Sequence, residues 1–360
     1  MSDTLKKYRT QIDALDDEIL ALLEKRAQVA QQVGEEKRQQ NMLHFSVVER
    51  EAQILRRQKE NSTLLAPHIT AIYREIIAAC LACEKPVQVA YLGPAGTYTH
   101  EAALKMFGHA AVLSPVETIE ATLLTAEKGD CDFAVLPFEN SAAGTVGATM
   151  DALVHTPLVI NGETVLRIRH NLLSADDTLT PATVKEIHAH PQALEQCRGW
   201  IEKNAPQATL HAADSNAAAA KLATTSKAAG MAIIASHTAQ EIYQLSRLAE
   251  NIEDFNNNST RFLILGQQQP QPSGADKTSF IMSVKEEAGA MFRVLKPLAD
   301  NNINMTKFES RPARGQLWEY LFFIDCIGHQ QNAALTAALA EVKQRASFIK
   351  ILGSYPQAID

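Results

Sequence analysis

An arginine interrupts the longest amphipathic run in this sequence. Leu5, Tyr8, Ile12, Leu15, Ile19, Leu22, Arg26, Val29 and Val33 recur at three- and four-residue spacing, which predicts one helix over the first 38 residues. A guanidinium on an apolar stripe is buried only with a partner. This helix therefore meets a carboxylate from another segment or holds an anion. Lys37 lies eleven residues beyond Arg26, three turns on and nearly the same face. Two cations on one stripe make a site for a small, doubly negative molecule.

The chain has 360 residues, more than one core organises, so two or three domains are expected. A formal charge of -7 and a pI near 5.9 argue against nucleic-acid binding. They also require a local cationic pocket for any anionic substrate. Five scattered cysteines imply no disulfide framework. Cys80 and Cys83 form a lone CxxC and read as core thiols rather than metal or redox ligands. The polar start, with no apolar targeting segment and no run long enough to span a bilayer, points to the cytoplasm and to no membrane partner.

Residues 1–85 read as all-helical. Ser46-Val47-Val48-Glu49 is a capping box for a second helix whose face carries Val47, Arg50, Glu51, Ile54 and Leu55. Pro67 opens a third, with a stripe of Ile69, Ile72, Tyr73, Ile76, Ile77 and Cys80 that ends at Glu84. So thin a core predicts an intertwined homodimer or a higher homo-oligomer. From Pro86 strands alternate with helices: Val87–Leu92, Cys131–Leu136 ending at Pro137, Val184–His188, Thr209–Ala212, Met231–Ala235 and Arg261–Leu265. This is an α/β domain over 86–267, with Asp214 as the N-cap of its Ala-rich helix. Residues 267–274 are a linker by composition. Over 277–356 the order βαββαβ is ferredoxin-like.

Arg9, Arg26, Lys37, Arg50 and Glu51 stand at positions that resemble the AroQ-type chorismate mutase domain. The resemblance implies a three-helix dimer that rearranges chorismate to prephenate by holding the reactive conformer and stabilising the breaking ether oxygen. It implies that Arg9, supplied across the dimer, and Arg26 anchor carboxylates. Lys37 would donate to the ether oxygen, Glu51 bind the substrate hydroxyl and Arg50 shape the pocket. The chain departs from the family at three places. Val47 replaces an aspartate, and Cys80 and Glu84 replace serine and glutamine. A carboxylate at 84 donates only when protonated, which implies mutase activity that declines toward alkaline pH.

Gly93-Pro94-Ala95-Gly96-Thr97-Tyr98-Thr99, Pro137-Phe138-Glu139-Asn140-Ser141 with Gly144, His190-Pro191-Gln192, and Asn258-Ser259-Thr260-Arg261-Phe262 resemble the prephenate dehydratase family. The resemblance implies two α/β lobes like type II periplasmic binding proteins, a cleft site, and loss of CO2 and water to give phenylpyruvate. Thr260 is the expected donor to the leaving hydroxyl. Thr97, Glu139, Asn140, Ser141, Gln192, Ser215, Arg261 and Phe262 are candidate substrate contacts. Strand alternation sets Thr260 and Phe262 on one face and Arg261 on the other. His188 and His190 read as structural.

Glu309-Ser310-Arg311-Pro312 and Gly289-Ala290 resemble an ACT domain of the phenylalanine-responsive kind. Such domains pair and bind an amino acid between them, which implicates these residues and Asn304 in feedback inhibition by L-phenylalanine. The three resemblances stand in the order of the bifunctional mutase–dehydratase family, with no metal and no cofactor. Rival readings are a metabolite-sensing binding protein and an enzyme with only one working site.

Overall fold

Helix α1 (Asp3–Gln39) starts where the Ser2 hydroxyl accepts the Leu5 N–H and runs as one rod, because nothing in its sequence breaks it. The computed structural model describes residues 2–40, 47–226, 228–312 and 320–359. α2 (Val47–Asn61) and α3 (Ala66–Glu84, with Pro67 in its first turn) complete the helical part. α1 meets α3 at Arg26 and at Gly34, where a side chain would stand 3.0 Å from Glu84 Cβ. The apolar stripe itself is not a core within one chain. Its members range from 43% exposed at Val33 to 64% at Leu22.

α2 corrects the sequence reading. Its buried face is Val48, Glu51, Ala52 and Leu55, while Arg50 faces solvent. Docking rather than periodicity sets this register. Val48 packs where residue 162 of a neighbouring strand is glycine, with Cγ1 only 2.8 Å from where a Cβ would sit. Ser46 of the expected capping box lies outside the described residues. The Glu49 carboxylate instead accepts the Gln271 N–H at 2.6 Å.

The α/β part forms two lobes. β1 (Gln88–Leu92), α4 (Tyr98–Phe107), β2 (Val112–Val116), α5 (Ile119–Glu127), β3 (Phe133–Asn140), β4 (Gly144–Thr145), α6 (Gly147–His155) and β5 (Val159–Arg167) begin the first. The chain then crosses to β6 (Asn171–Ser174), β7 (Glu186–Ala189), α7 (Pro191–Gln196), α8 (Arg198–Asn204), β8 (Thr209–Ala212), α9 (Asn216–Ser226), β9 (Met231–Ala235), α10 (His237–Tyr243) and β10 (Ser246–Ala249). β11 (Ser259–Gly266) returns to the first lobe. The two sheets are ordered β2-β1-β3-β11-β5, with β4 on β3, and β10-β6-β9-β7-β8.

Strands β2, β4, β5, β6 and β10 lie outside the strands the sequence predicts. Asn161-Gly162-Glu163 interrupts the apolar run of β5, and all three residues bury against other parts of the chain. β3 continues four residues past the expected stop. Pro137 is tolerated because β3 bulges against β11 there: Arg261 pairs with Glu139 but Phe262 with Pro137.

β12 (Asp276–Ser283), α11 (Ala290–Asp300), β13 (Met305–Pro312), β14 (Tyr320–Ile327), α12 (Ala333–Arg345) and β15 (Phe348–Pro356) follow the expected βαββαβ order, in the sheet β13-β14-β12-β15. Trp318, expected to begin the third of these strands, lies outside the described residues. The linker is pinned along its length. Gln268 O accepts from Asn161, Gln269 donates to Ser354 O, and Arg56 donates to Ser273 O and Ala275 O.

Candidate functional sites

The cleft between the lobes gathers the motifs. Thr97, Asn140, Gln192, Ser215, Thr260 and Phe262 all line it. The first turns of α4, α7 and α9 form much of its wall. Ser215, not the expected Asp214, caps α9, its hydroxyl accepting the Ala218 N–H. Gly96 lets the lobes close here. Its φ is +88°, a side chain would stand 3.2 Å from Ala239 Cα, and its carbonyl accepts the Ser236 hydroxyl across the cleft.

Three expected contacts lie elsewhere. Strand alternation turns Arg261 away from the cleft, toward Asp325 (2.6 Å), the Tyr355 hydroxyl (2.8 Å) and Glu163 (2.6 Å). Glu139 also faces the C-terminal sheet and pairs with Lys307 at 2.9 Å. The Ser141 hydroxyl is consumed in bracing β3 to the segment before β11, donating to Asn257 O and accepting from Ser259 N. A cationic pocket was expected around any anion. Among the described residues no Asp, Glu, Lys or Arg lines this cleft, so an anion there meets N–H and O–H donors and the His190 imidazole.

One hydroxyl is aimed. Asn140 Oδ1 accepts the Ala142 and Ala143 N–H groups at 3.0 and 2.8 Å, which fixes its amide nitrogen toward Asn258 Oδ1 (2.7 Å) and Thr260 Oγ1 (2.8 Å). Thr260 Oγ1 therefore accepts from Asn140, and its own proton points elsewhere. Asn258 and Gln196 were missed as site residues. Asn258 sits two residues before Thr260, on the same strand face, a signal the quoted motif contained. Gln196 lies four residues after Gln192, one turn along α7.

Glu186, His188 and His211 cluster on β7 and β8. They do not form a metal centre as placed. The two imidazoles stack at 4.5 Å with planes 15° apart, and an ion must lie in the plane of each ring that ligates it.

In the helical part, Arg26 Nη1 donates to Ile76 O at 3.3 Å, and Lys37 pairs with Glu84 at 3.5 Å. Cys80 is buried between them on α3. One seam thus collects Arg26, Lys37, Cys80 and Glu84. Glu51 is not in it. It faces Arg74 at 3.5 Å, roughly a quarter-turn or more around α3, because the buried face of α2 docks on the first lobe. Burial pushes its carboxyl up to about 7, partly opposed by Arg74. Arg50 donates to Gln53, and Arg9 is exposed on α1.

In the C-terminal sheet Gly289 has φ +76° and opens α11 with Ala290 behind it. Glu309 accepts from Thr145 at 2.8 Å and Arg311 pairs with Asp151, so both face the first lobe. Ser310, Pro312 and Asn304 are exposed. β14 lies between this edge strand and β12, which leads into the Gly289 turn, and none of Glu309–Pro312 lines the pocket at that turn.

Comparison with known proteins agrees with this layout. Family models for chorismate mutase type II, prephenate dehydratase and the ACT domain match residues 8–85, 89–270 and 278–344. A bifunctional chorismate mutase/prephenate dehydratase of Neisseria gonorrhoeae is 44% identical over 361 residues, covering 100% of this chain and 99% of that one. The chain belongs to the bifunctional chorismate mutase/prephenate dehydratase family. Its Aquifex aeolicus member is 41% identical over 99% of both chains. A prephenate dehydratase from Arthrobacter aurescens, solved in complex with L-Phe, superposes with TM-score 0.70 at 31% identity. It covers 76% of this chain, and 90% of that chain is matched. Among the described residues no helix is long and apolar enough to cross a membrane.

Proposed function

We propose that this chain rearranges chorismate to prephenate in residues 1–85, converts prephenate to phenylpyruvate, CO2 and water in residues 86–267, and is inhibited by L-phenylalanine through residues 277–356. The Asn140–Thr260 hydrogen bond carries the dehydratase reading. As the ring carboxylate departs as CO2, the electrons of its bond move into the ring and expel the hydroxyl as hydroxide, which takes a proton from solvent to leave as water. The Thr260 proton is free to hydrogen-bond that oxygen. Threonine is too weak an acid to transfer the proton early, so it stabilises charge as it develops. A cleft without cations leaves the departing carboxylate poorly stabilised, which favours its conversion to neutral CO2.

For the mutase, Arg26 and Lys37 on the α1–α3 seam hold the substrate dianion, and Arg9 reaches the seam from a second copy. The exposed stripe of α1 supports that pairing. The separation of Gly289 from Glu309–Pro312 within one chain likewise supports a paired ACT domain that receives phenylalanine between copies. Five unpaired thiols fit the cytoplasm.

The test supplies chorismate and prephenate separately to the purified protein. T260V should lose dehydratase turnover by 100-fold or so and keep mutase turnover. R26A should do the reverse. Equal loss of both activities in either variant rejects separate sites.

A further inference from the structure

The hydrogen bonds at Thr260 do not end at Asn140. Asn258, whose Oδ1 accepts from Asn140, donates through Nδ2 to Gln196 Oε1 at 3.1 Å. The same oxygen faces His170 Nε2 at 2.8 Å. His170 lies behind the cleft, 2% exposed. Its Nδ1 is 2.9 Å from the Tyr98 hydroxyl, and its backbone N–H donates to the buried Glu253 carboxylate at 2.9 Å.

Only one set of amide orientations satisfies this chain. The Ala142 and Ala143 N–H groups fix Asn140. Asn140 then presents Nδ2, so Asn258 must answer with Oδ1 and point its own Nδ2 at Gln196. Gln196 must answer with Oε1, and His170 must carry its proton on Nε2. Reversing any one amide sets donor against donor in a buried place. The geometry points to His170 as a positioning residue for dehydration: through Gln196, Asn258 and Asn140 it locks the orientation that sends the Thr260 proton into the cleft. The role rests on Thr260 being the donor. Burial pushes the His170 imidazole below its usual range, against the opposing pull of Gln196 and Glu253. The amides fix only the Nε2 proton, and the Tyr98 hydroxyl beside Nδ1 donates to Arg169 O at 2.6 Å.

Two side chains that differ by one methylene test this in the full-length protein. H170N keeps a polar group near Tyr98 but is too short to reach Gln196, whereas H170Q spans the distance. H170N should lower kcat on prephenate by about 10- to 100-fold, with KM within about threefold. H170Q should return kcat to within about threefold of the parent. Asn258→Ala combined with H170N should lose no more than Asn258→Ala alone. Mutase turnover should be unchanged and reports an intact fold. If H170N loses that as well, Q196M breaks the same link with His170 in place and should show the kcat loss. Equal rates for H170N and H170Q, a loss confined to KM, additive losses, or a fully active Q196M overturn the role. T260V run alongside separates the two ideas. An active T260V rejects the donor itself, whereas an inactive one with indistinguishable His170 variants rejects only the positioning.

Discussion

At the scale of single residues, the proposed mutase chemistry turns on Glu84 beside Lys37. Lys37 is the expected donor to the ether oxygen, and Glu84 sits 3.5 Å from it. A carboxylate there competes with substrate for the ammonium and repels a developing oxyanion. Glu84→Gln keeps the shape, adds a donor and releases Lys37. Mutase kcat/KM should rise by about tenfold, measured by chorismate disappearance. An unchanged rate would show that Glu84 lies outside the reacting region. Arg26 and Lys37 were legible because charge on an apolar stripe is costly anywhere. Glu51 was equally visible as a residue, yet its surroundings were not, since they come from α3 and from a strand more than a hundred residues away.

At the scale of elements, strand β11 serves two surfaces at once. Thr260 and Phe262 face the cleft, while Arg261 is gripped by Glu163, Asp325 and Tyr355. Arg261→Ala takes the guanidinium from the buried Asp325 carboxylate, while Glu163 keeps Lys277, and should cost about 3–5 kcal/mol, seen as unfolding at lower urea, with the C-terminal sheet losing amide protection first. Helix α2 predicts a pH effect of its own. The Glu51 carboxyl is raised to about 7 in the folded chain, so between its unfolded value and 7 the native state binds the extra proton. Stability from this group is present at acid pH and is lost as pH rises through 7. The parent should lose up to about 3 kcal/mol relative to Glu51→Gln between pH 5 and 8, measured by denaturant unfolding at each pH. Alternation along β11 was readable from sequence. What stood on its far side was not, because β14 and β15 arrive from the other end of the chain.

At the scale of the whole molecule, α1 holds nine large apolar side chains in solvent, which is the surface the proposed pairing with a second copy would cover. Ile12→Glu with Ile19→Glu should yield monomers by light scattering and abolish mutase turnover, because Arg9 no longer reaches a partner's seam. Dehydratase turnover should survive, since the described cleft lies within one chain. A monomer that keeps full mutase activity would remove Arg9 from the site.

Sequence alone determined the helical rod, the alternation of strands and helices, the final βαββαβ unit and the motifs that meet at the cleft. Each is written in local periodicity or in a short run whose chemistry has few uses. Tertiary structure alone decided that no Asp, Glu, Lys or Arg among the described residues lines the cleft, that Arg261 and Glu139 serve the C-terminal sheet, that α2 turns Glu51 toward Arg74, and that His170 stands behind Thr260. These depend on which surfaces meet. A side chain's partner across a hundred residues is chosen by packing and by pairing of buried polar groups, and neither leaves a period in the sequence.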